Sequence, residues 1–354
     1  MKNRFFSYLC TVKKDLKMNK TKLWLLAATL ISGASMLNSC SCNDKPGEAE
    51  EFIVTTLNVD GLPQEVLSVS VNPDGPGEAY TPAIGQFLTV KGSDFIVVQE
   101  NFNFNEQLCS VLNTNYNHDA WCGGIDPSKN DGQRFLIDGL NSFWRKGLTA
   151  ERTDSVAWLQ NYGLVDHAND AMATKGFRRY EVRLASGSEL VIYNLHMDAS
   201  IDDDERTGAD KPDRETRMAQ LRQLRTHLLE KLDHRPIIVA GDMNCYYARD
   251  SVKQQFIDFI NATGRATAGD VWITLERKGH YPELQQGSVM QDEGAKGWMR
   301  QGETLEKILY INPKDGTQLT PVEFSIDSTG YVRPDGTPLG DHFPLSAKFS
   351  INKP

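Results

Sequence analysis

The chain has 354 residues, 40% of them hydrophobic and 24% charged. That composition excludes a disordered, collagen-like or disulfide-packed mini-protein. Its 38 Lys and Arg against 47 Asp and Glu give a net charge of −9, but residues 1–39 hold seven of the basic residues and one Asp, so the chain from Cys40 onward stands at −15. An excess of that sign argues against binding nucleic acid through broad phosphate neutralisation, which would need a local basic groove or a metal ion.

Lys17, Lys20 and Lys22 precede an apolar stretch from Leu23 to Leu37, short for a membrane span, which ends in Leu37-Asn38-Ser39-Cys40. A basic start, a short hydrophobic core, small residues and then a cysteine resemble a bacterial lipoprotein signal over residues 1–39, with Cys40 lipidated. Residues 40–51, with Pro46, Gly47 and three Glu, read as a tether. The expectation is a protein of the cell envelope, anchored by lipid in the outer membrane or at the cell surface. Cys109 and Cys122 could pair in an oxidising compartment. No Cys or His spacing suggests zinc.

Residues 52–352 read as one domain, without repeats or a second linker. Ile53–Leu57, Phe95–Val98, Leu190–Leu195, Ile237–Ala240, Ile308–Ile311 and Phe343–Phe349 are short β-branched or apolar runs of the kind that form buried strands. Met218, Leu221, Leu224, Leu228 and Leu232 fall at helical spacing. The mixture predicts sheets packed against helices.

What borders each run carries the functional argument. The first strand runs into Asn58, the second into Gln99-Glu100, the third into His196, and the fourth into Gly241-Asp242-Met243-Asn244. Gly340-Asp341-His342 precedes the last. Polar residues at strand ends sit where rigid backbone meets loops, the usual place for a site. Singly, Asn58 or Asp242 reads as a turn cap, Glu100 as a solvated loop charge and His196 as a core histidine. Five together are hard to attribute to turns.

The order Thr56-Leu57-Asn58-Val59-Asp60-Gly61, Val98-Gln99-Glu100, Asn194-Leu195-His196-Met197-Asp198, Gly241-Asp242-Met243-Asn244 and Gly340-Asp341-His342 resembles the endonuclease/exonuclease/phosphatase superfamily. That group includes pancreatic-type deoxyribonucleases, abasic-site endonucleases, inositol polyphosphate phosphatases and neutral sphingomyelinases. The resemblance implies an α+β fold, a four-layer αββα sandwich with two mixed β-sheets face to face and helices outside. It also implies a Mg²⁺-dependent phosphoester hydrolase, with Mn²⁺ an acceptable substitute. Glu100 then looks like the main metal ligand, with Asn58 beside it. Asp242 and Asn244 look like the pair that positions water and phosphoryl oxygens. His342 looks like the general base, oriented by Asp341 or by Asp242, and His196 like the second catalytic histidine.

These residue types suit the chemistry. Mg²⁺ takes a few carboxylate and amide oxygens and keeps several waters, and an imidazole oriented by a carboxylate accepts a water proton near neutral pH. One residue departs from the resemblance: where the family usually carries an aspartate before the penultimate strand, this chain has Glu306, one methylene longer, in an orienting or phosphate-binding position.

Ala173-Thr174-Lys175-Gly176-Phe177 is similar to the Lys-Gly-hydrophobe segment of sphingomyelinase-like members. Lys175 is thus a candidate for the substrate phosphate, or else a solvated hairpin lysine. Asp213 to Gln220, with Arg217 between, leans the same way. The favoured substrate is a phospholipid headgroup, with Trp298, Met299 and Tyr281 on a long polar segment that could meet lipid. The alternatives are a surface nuclease, whose groove Arg178, Arg179 and Arg183 could line, or a phosphatase of small polyphosphates such as inositol phosphates. A non-catalytic ligand-binding lipoprotein would predict loss of Glu100, Asp242 or His342, and all three are present. The acidic run Asp202–Glu205, with Asp210 and Asp213, reads as a solvated loop, and a monomer is expected.

Overall fold

The computed structural model describes residues 50–66, 69–70, 72–125, 136–163, 173–199, 211–247, 249–282 and 303–352. The signal segment, Cys40, most of the tether, the acidic run 202–210, and Trp298 with Met299 lie outside the described residues. From Ala49 onward the chain forms one compact unit.

Twelve principal strands are described, in chain order β1 (Glu50–Asn58), β2 (Phe95–Gln99), β3 (Tyr116–His118), β4 (Asn141–Arg145), β5 (Thr149–Ala157), β6 (Gly176–Arg183), β7 (Glu189–His196), β8 (Ile237–Asp242), β9 (Ala266–Asp270), β10 (Glu306–Pro313), β11 (Gln318–Ile326) and β12 (Leu345–Asn352). A two-residue hairpin, Glu65–Val66 with Val69–Ser70, stands apart. The helices are α1 (Gly77–Lys91), α2 (Asn105–Leu112), α3 (Lys211–Glu230), α4 (Phe259–Ala262), which continues a π-turn at Lys253–Asp258, and α5 (Val271–Leu275).

The strands form two six-stranded sheets, ordered β11-β12-β1-β2-β4-β3 and β9-β10-β8-β7-β6-β5. Each is mixed. β1 runs parallel to β2 and β7 parallel to β8, and the remaining pairings are antiparallel.

Strand periodicity assigns each residue its layer, because successive side chains leave opposite faces of a sheet. Phe52, Val54, Phe95 and Val97 of one sheet meet Tyr180, Val182, Leu190, Ile192, Ile238, Ala240 and Ile308 of the other. The alternate residues Leu57, Ile96 and Val98 turn outward under Ile84 and Leu88 of α1 and Leu108 and Leu112 of α2. On the far side, Val191, Tyr193, Leu195, Ile237 and Val239 lie under Leu221, Leu224 and Leu228 of α3. Three apolar layers between four structural ones make the αββα sandwich. Helix α1 stops at Gly92, whose φ of 68° supplies the left-handed cap and whose N–H bonds Leu88 O. Helix α3 ends at Glu230, before Pro236 opens the next strand.

Several expectations are corrected. Cys109 and Cys122 are both free thiols, the first buried and the second exposed. Arg178 and Arg179 line no groove. Arg178 is buried, bidentate to Asp138 and bonded to Asp119, and Arg179 is buried against Glu181 and Thr153. Arg183 pairs with Glu189. The last strand begins at Leu345, so Phe343 belongs to the approach from His342.

Candidate active site

The layer between the sheets changes character toward one end. Following the inward face of β1 from Phe52 and Val54, the next two residues are Thr56 and Asn58. After Phe95 and Val97 on β2 comes Gln99. After Leu190 and Ile192 on β7 come Asn194 and His196, and after Ile238 and Ala240 on β8 comes Asp242. One pleat thus delivers apolar residues to the middle of the sandwich and polar ones to its end. Gln99 Nε2 donates to Asn194 Oδ1 at 2.8 Å, and Asn194 Nδ2 donates to Asn141 O at 2.8 Å and Val98 O at 3.1 Å. This satisfied, buried network is the floor of the site.

Register then sets the site's geometry. Asp242 is paired across the second sheet with His196 on one side and Glu306 on the other, and neighbours in register share a face. From the first sheet Asn58 Nδ2 reaches Glu100 Oε1 at 2.8 Å and Asp242 Oδ2 at 3.1 Å, while its Oδ1 accepts the Asp60 N–H at 3.0 Å. Asn58 therefore spans the two carboxylates through its amide nitrogen. Glu100 leaves β2 with φ 53°. Its carbonyl accepts from Gly61 N at 3.1 Å and Phe102 N at 2.7 Å, and a Cβ on Gly61 would lie 2.3 Å from that oxygen. Only glycine allows this approach.

His196 Nε2 lies 3.1 Å from Lys175 Nζ, 3.5 Å from Asp242 Oδ2 and 3.8 Å from Glu100 Oε1. Lys175 is buried, so it is no solvated hairpin lysine. Asn244, at φ 50°, donates its backbone N–H to Asp242 Oδ1 at 2.9 Å and its Nδ2 to Met197 O at 3.0 Å. His342 Nδ1 bonds Glu306 Oε1, and His342 Nε2 points past Asp242 Oδ2 at 3.9 Å. Glu306, not Asp341, is the carboxylate on Nδ1. Asp341 Oδ1 stands 3.8 Å from the other ring nitrogen with its side chain 69% exposed, whereas that of Glu306 is 3% exposed. The extra methylene of Glu306 reaches the ring from a neighbouring strand. The structure brings together Asn58, Glu100, Lys175, His196, Asp242, Asn244, Glu306 and His342, with Asp341 at the rim.

The titration behaviour follows from burial and these contacts. Burial alone would push Glu306 up, but His342 outweighs it and holds the carboxylate below its usual range. Burial would likewise lower His342, yet Glu306, Asp242 and Asp341 raise it well above an ordinary histidine. The two form an ion pair while the ring is protonated, and above the raised value of His342 the neutral ring leaves Nε2 free to accept a proton. His196 is the opposite case: burial, Lys175 and His342 all depress it, so it is neutral. Burial raises Glu100 against Lys175, and raises Asp242 against His342.

Asp60 carried no assigned role in the sequence, since Asn-x-Asp-Gly reads as a turn. The Asn58 Oδ1 bond to its N–H does form that turn. Its carboxyl is nevertheless buried, and burial together with Asp341 and Glu100 lifts it to about 7.

Asp242, Glu306 and His342 place one ligand atom each within 4.8 Å of one another. The ring Nδ1 and Glu306 are already engaged with each other, which makes this trio an acid–base pair beside a carboxylate. Glu100 and Asp242, which share the Asn58 Nδ2, supply hard oxygen donors. Burial holds both above their usual range, so a divalent cation beside them would be favoured.

No protein-family model matches the chain. Among characterised proteins, the sphingomyelinases of Mycobacterium bovis and Mycobacterium tuberculosis are each 24% identical over 306 residues, covering 84% of this chain and 52% of theirs. The chain thus spans about half the length of these relatives. Among solved structures, D. rerio TDP2 complexed with single strand DNA product superposes with a TM-score of 0.54 at 16% identity, over 85% of this chain and 99% of that one. An endonuclease/exonuclease/phosphatase from Bacteroides vulgatus gives 0.52 at 17%, over 86% and 100%, and beta toxin from Staphylococcus aureus gives 0.52 at 14%, over 84% and 99%. The chain is therefore similar to these sphingomyelinases in sequence and carries the endonuclease/exonuclease/phosphatase fold.

Proposed function

We propose that this protein is a divalent-metal-dependent phosphodiesterase whose substrate is a phospholipid headgroup of the sphingomyelin type. The observation that carries the reading is the convergence of Glu100, His196, Asp242 and the Glu306–His342 pair at one end of the sandwich, where the central strands β2, β7 and β8 finish. Glu100, with Asp242 nearby, would hold Mg²⁺, and Mn²⁺ would serve as well. The cation would offset charge on the non-bridging phosphoryl oxygens. In its neutral form, reached as pH passes its raised value, His342 accepts the proton of the attacking water at Nε2, and Glu306 stabilises the imidazolium that results. Asp242, fixed by Asn58 and by the Asn244 N–H, orients that water. Neutral His196 and the Lys175 ammonium face the phosphate and stabilise its gathering negative charge. Similarity to sphingomyelinases and the internal pairing of Arg178 and Arg179 favour a headgroup over a polynucleotide. The structural neighbour solved with a DNA product keeps a nuclease as the second reading. A lipid anchor at Cys40, placing a monomeric enzyme at the cell envelope, would bring it to such a substrate.

The test is turnover with Mg²⁺ on sphingomyelin, plasmid DNA and inositol phosphates. Sphingomyelin should be cleaved fastest, and Glu100→Gln and His342→Ala should each lower kcat by at least about 10²-fold, within the range of lost acid–base and charge stabilisation. Turnover of none of the three, or variants as active as the parent, would overturn the reading.

A further inference from the structure

Beneath the cleft lies a second set of buried charges that the chemistry above does not use. Arg217 of α3, Arg249 and Asp250 have side chains 0%, 4% and 0% exposed. Asp250 Oδ1 accepts from Arg217 Nη2 at 3.1 Å, and its Oδ2 accepts from Arg249 Nε at 2.7 Å and from Tyr246 N at 3.0 Å. Each guanidinium has a further reach. Arg217 Nη1 donates to Asp198 O at 3.3 Å, two residues beyond His196, and Arg249 Nη2 donates to Asn244 O at 2.7 Å.

This Arg–Asp–Arg chain therefore grips the two loops that leave β7 and β8 at the site. Asn244 most needs the grip. Its φ of 50° lies in the left-handed region, which non-glycine residues occupy only when their surroundings impose it. Its N–H must point at Asp242 Oδ1 and its amide at Met197 O. The remaining polar group of its backbone is the carbonyl that Arg249 takes. A planar guanidinium holds Asp250 through Nε and a carbonyl through Nη2 in one rigid fork, a spacing that the single ammonium nitrogen of lysine does not reproduce.

We infer that Arg249, anchored on Asp250 and Arg217, is a positioning residue of this site, fixing Asn244 and through it the carboxylate of Asp242. The inference rests on the phosphodiesterase reading for its kinetic consequence but not for its structural one. It is tested by a double-mutant cycle of Arg249→Lys with Asp242→Asn, assayed on sphingomyelin in mixed micelles with Mg²⁺, and by hydrogen exchange of the segment 242–247. Arg249→Lys should lower kcat about tenfold or more with KM changed less than twofold. It should cost nothing further once Asp242 is asparagine, because the Asn244 contacts it acts through are main-chain groups that serve that carboxylate, and should speed exchange in 242–247 while the central strands stay protected. A kcat within twofold of the parent, an additive loss in the Asp242→Asn background, or unchanged exchange would overturn it. If the lysine variant does not fold, Arg249→Gln, which leaves Asp250 paired with Arg217, is put through the same cycle. An inactive parent would sink the phosphodiesterase reading, and the exchange result would still decide whether Arg249 holds Asn244.

Discussion

His342 and Glu306 stand 36 positions apart, and their pairing sets the protonation of the proposed base. Because Glu306 raises His342, its removal has a signed consequence. Glu306→Gln should move the acidic limb of the kcat/KM profile to lower pH, since a histidine without its anion loses its proton more readily. It should also lower the plateau about 10- to 100-fold, because the imidazolium formed in the reaction loses its partner. A pH–rate profile from about 5 to 9 checks both effects, and an unshifted limb would remove Glu306 from the role. These residues differ in how legible they were. Glu100, His196 and Asp242 end or directly follow strands, where a polar residue after an apolar run is conspicuous, and His342 precedes the last one. Asp60 was hidden because its turn role is also real. Glu306 stood out as an orienting candidate, but which histidine it holds depends on the register of β10 against β8, and Asp341 is only the nearer carboxylate to His342 in sequence.

Among the elements, legibility followed burial on both faces. β1, β2, β7 and β8 carry near-continuous apolar runs because helices cover one side and the opposite sheet the other. The outer strands do not. β5 is an edge strand, largely exposed and charged, with a bulge between Arg152 and Asp154. β6 reads as Gly-Phe-Arg-Arg-Tyr-Glu-Val-Arg, and the burial of Arg178 and Arg179 depends on acidic partners far away in sequence. The α3 stripe was visible because three of its leucines dock on the second sheet. Leu224→Ala, fully buried there, should lower unfolding free energy by roughly 2–5 kcal/mol. Urea denaturation would show it as a lower midpoint at unchanged slope, with kcat of the folded fraction preserved.

The molecule as a whole carries a conflict that a cation would resolve. Asp60 titrates near 7 in the fold against 3.8 ordinarily, so the folded state favours its protonated form. An acid raised in this way gives stability at low pH that is lost as pH climbs from about 4 through 7. His342, raised above 6.5, acts in the same direction, its contribution being present below 6.5 and lost as pH passes its folded value. His196, depressed below 6.5, acts the other way but adds nothing further above that pH, so in EDTA the melting temperature should fall as pH rises from about 6.5 to 8. Millimolar Mg²⁺ should recover more at pH 8 than at pH 5, because the ion binds the deprotonated site. A metal-independent melting temperature across that range would argue against the carboxylates as a cation site. The acidic excess of the chain from Cys40 onward thus has a local counterpart at the site, where the carboxylates of Glu100 and Asp242 share the amide nitrogen of Asn58.

The pairing of Glu50 with Ile351 at the far end of β1 and β12 places the entry and exit of the fold side by side. β1 then runs nine residues, from Glu50 to Asn58 at the site, a span of roughly 27 Å at a strand's rise. Whatever is joined to either end of the sandwich leaves from the pole opposite the chemistry. A bead, a reporter domain or a closed peptide link from 352 back to 50 would occupy that pole and leave the mouth of the cleft open to its substrate.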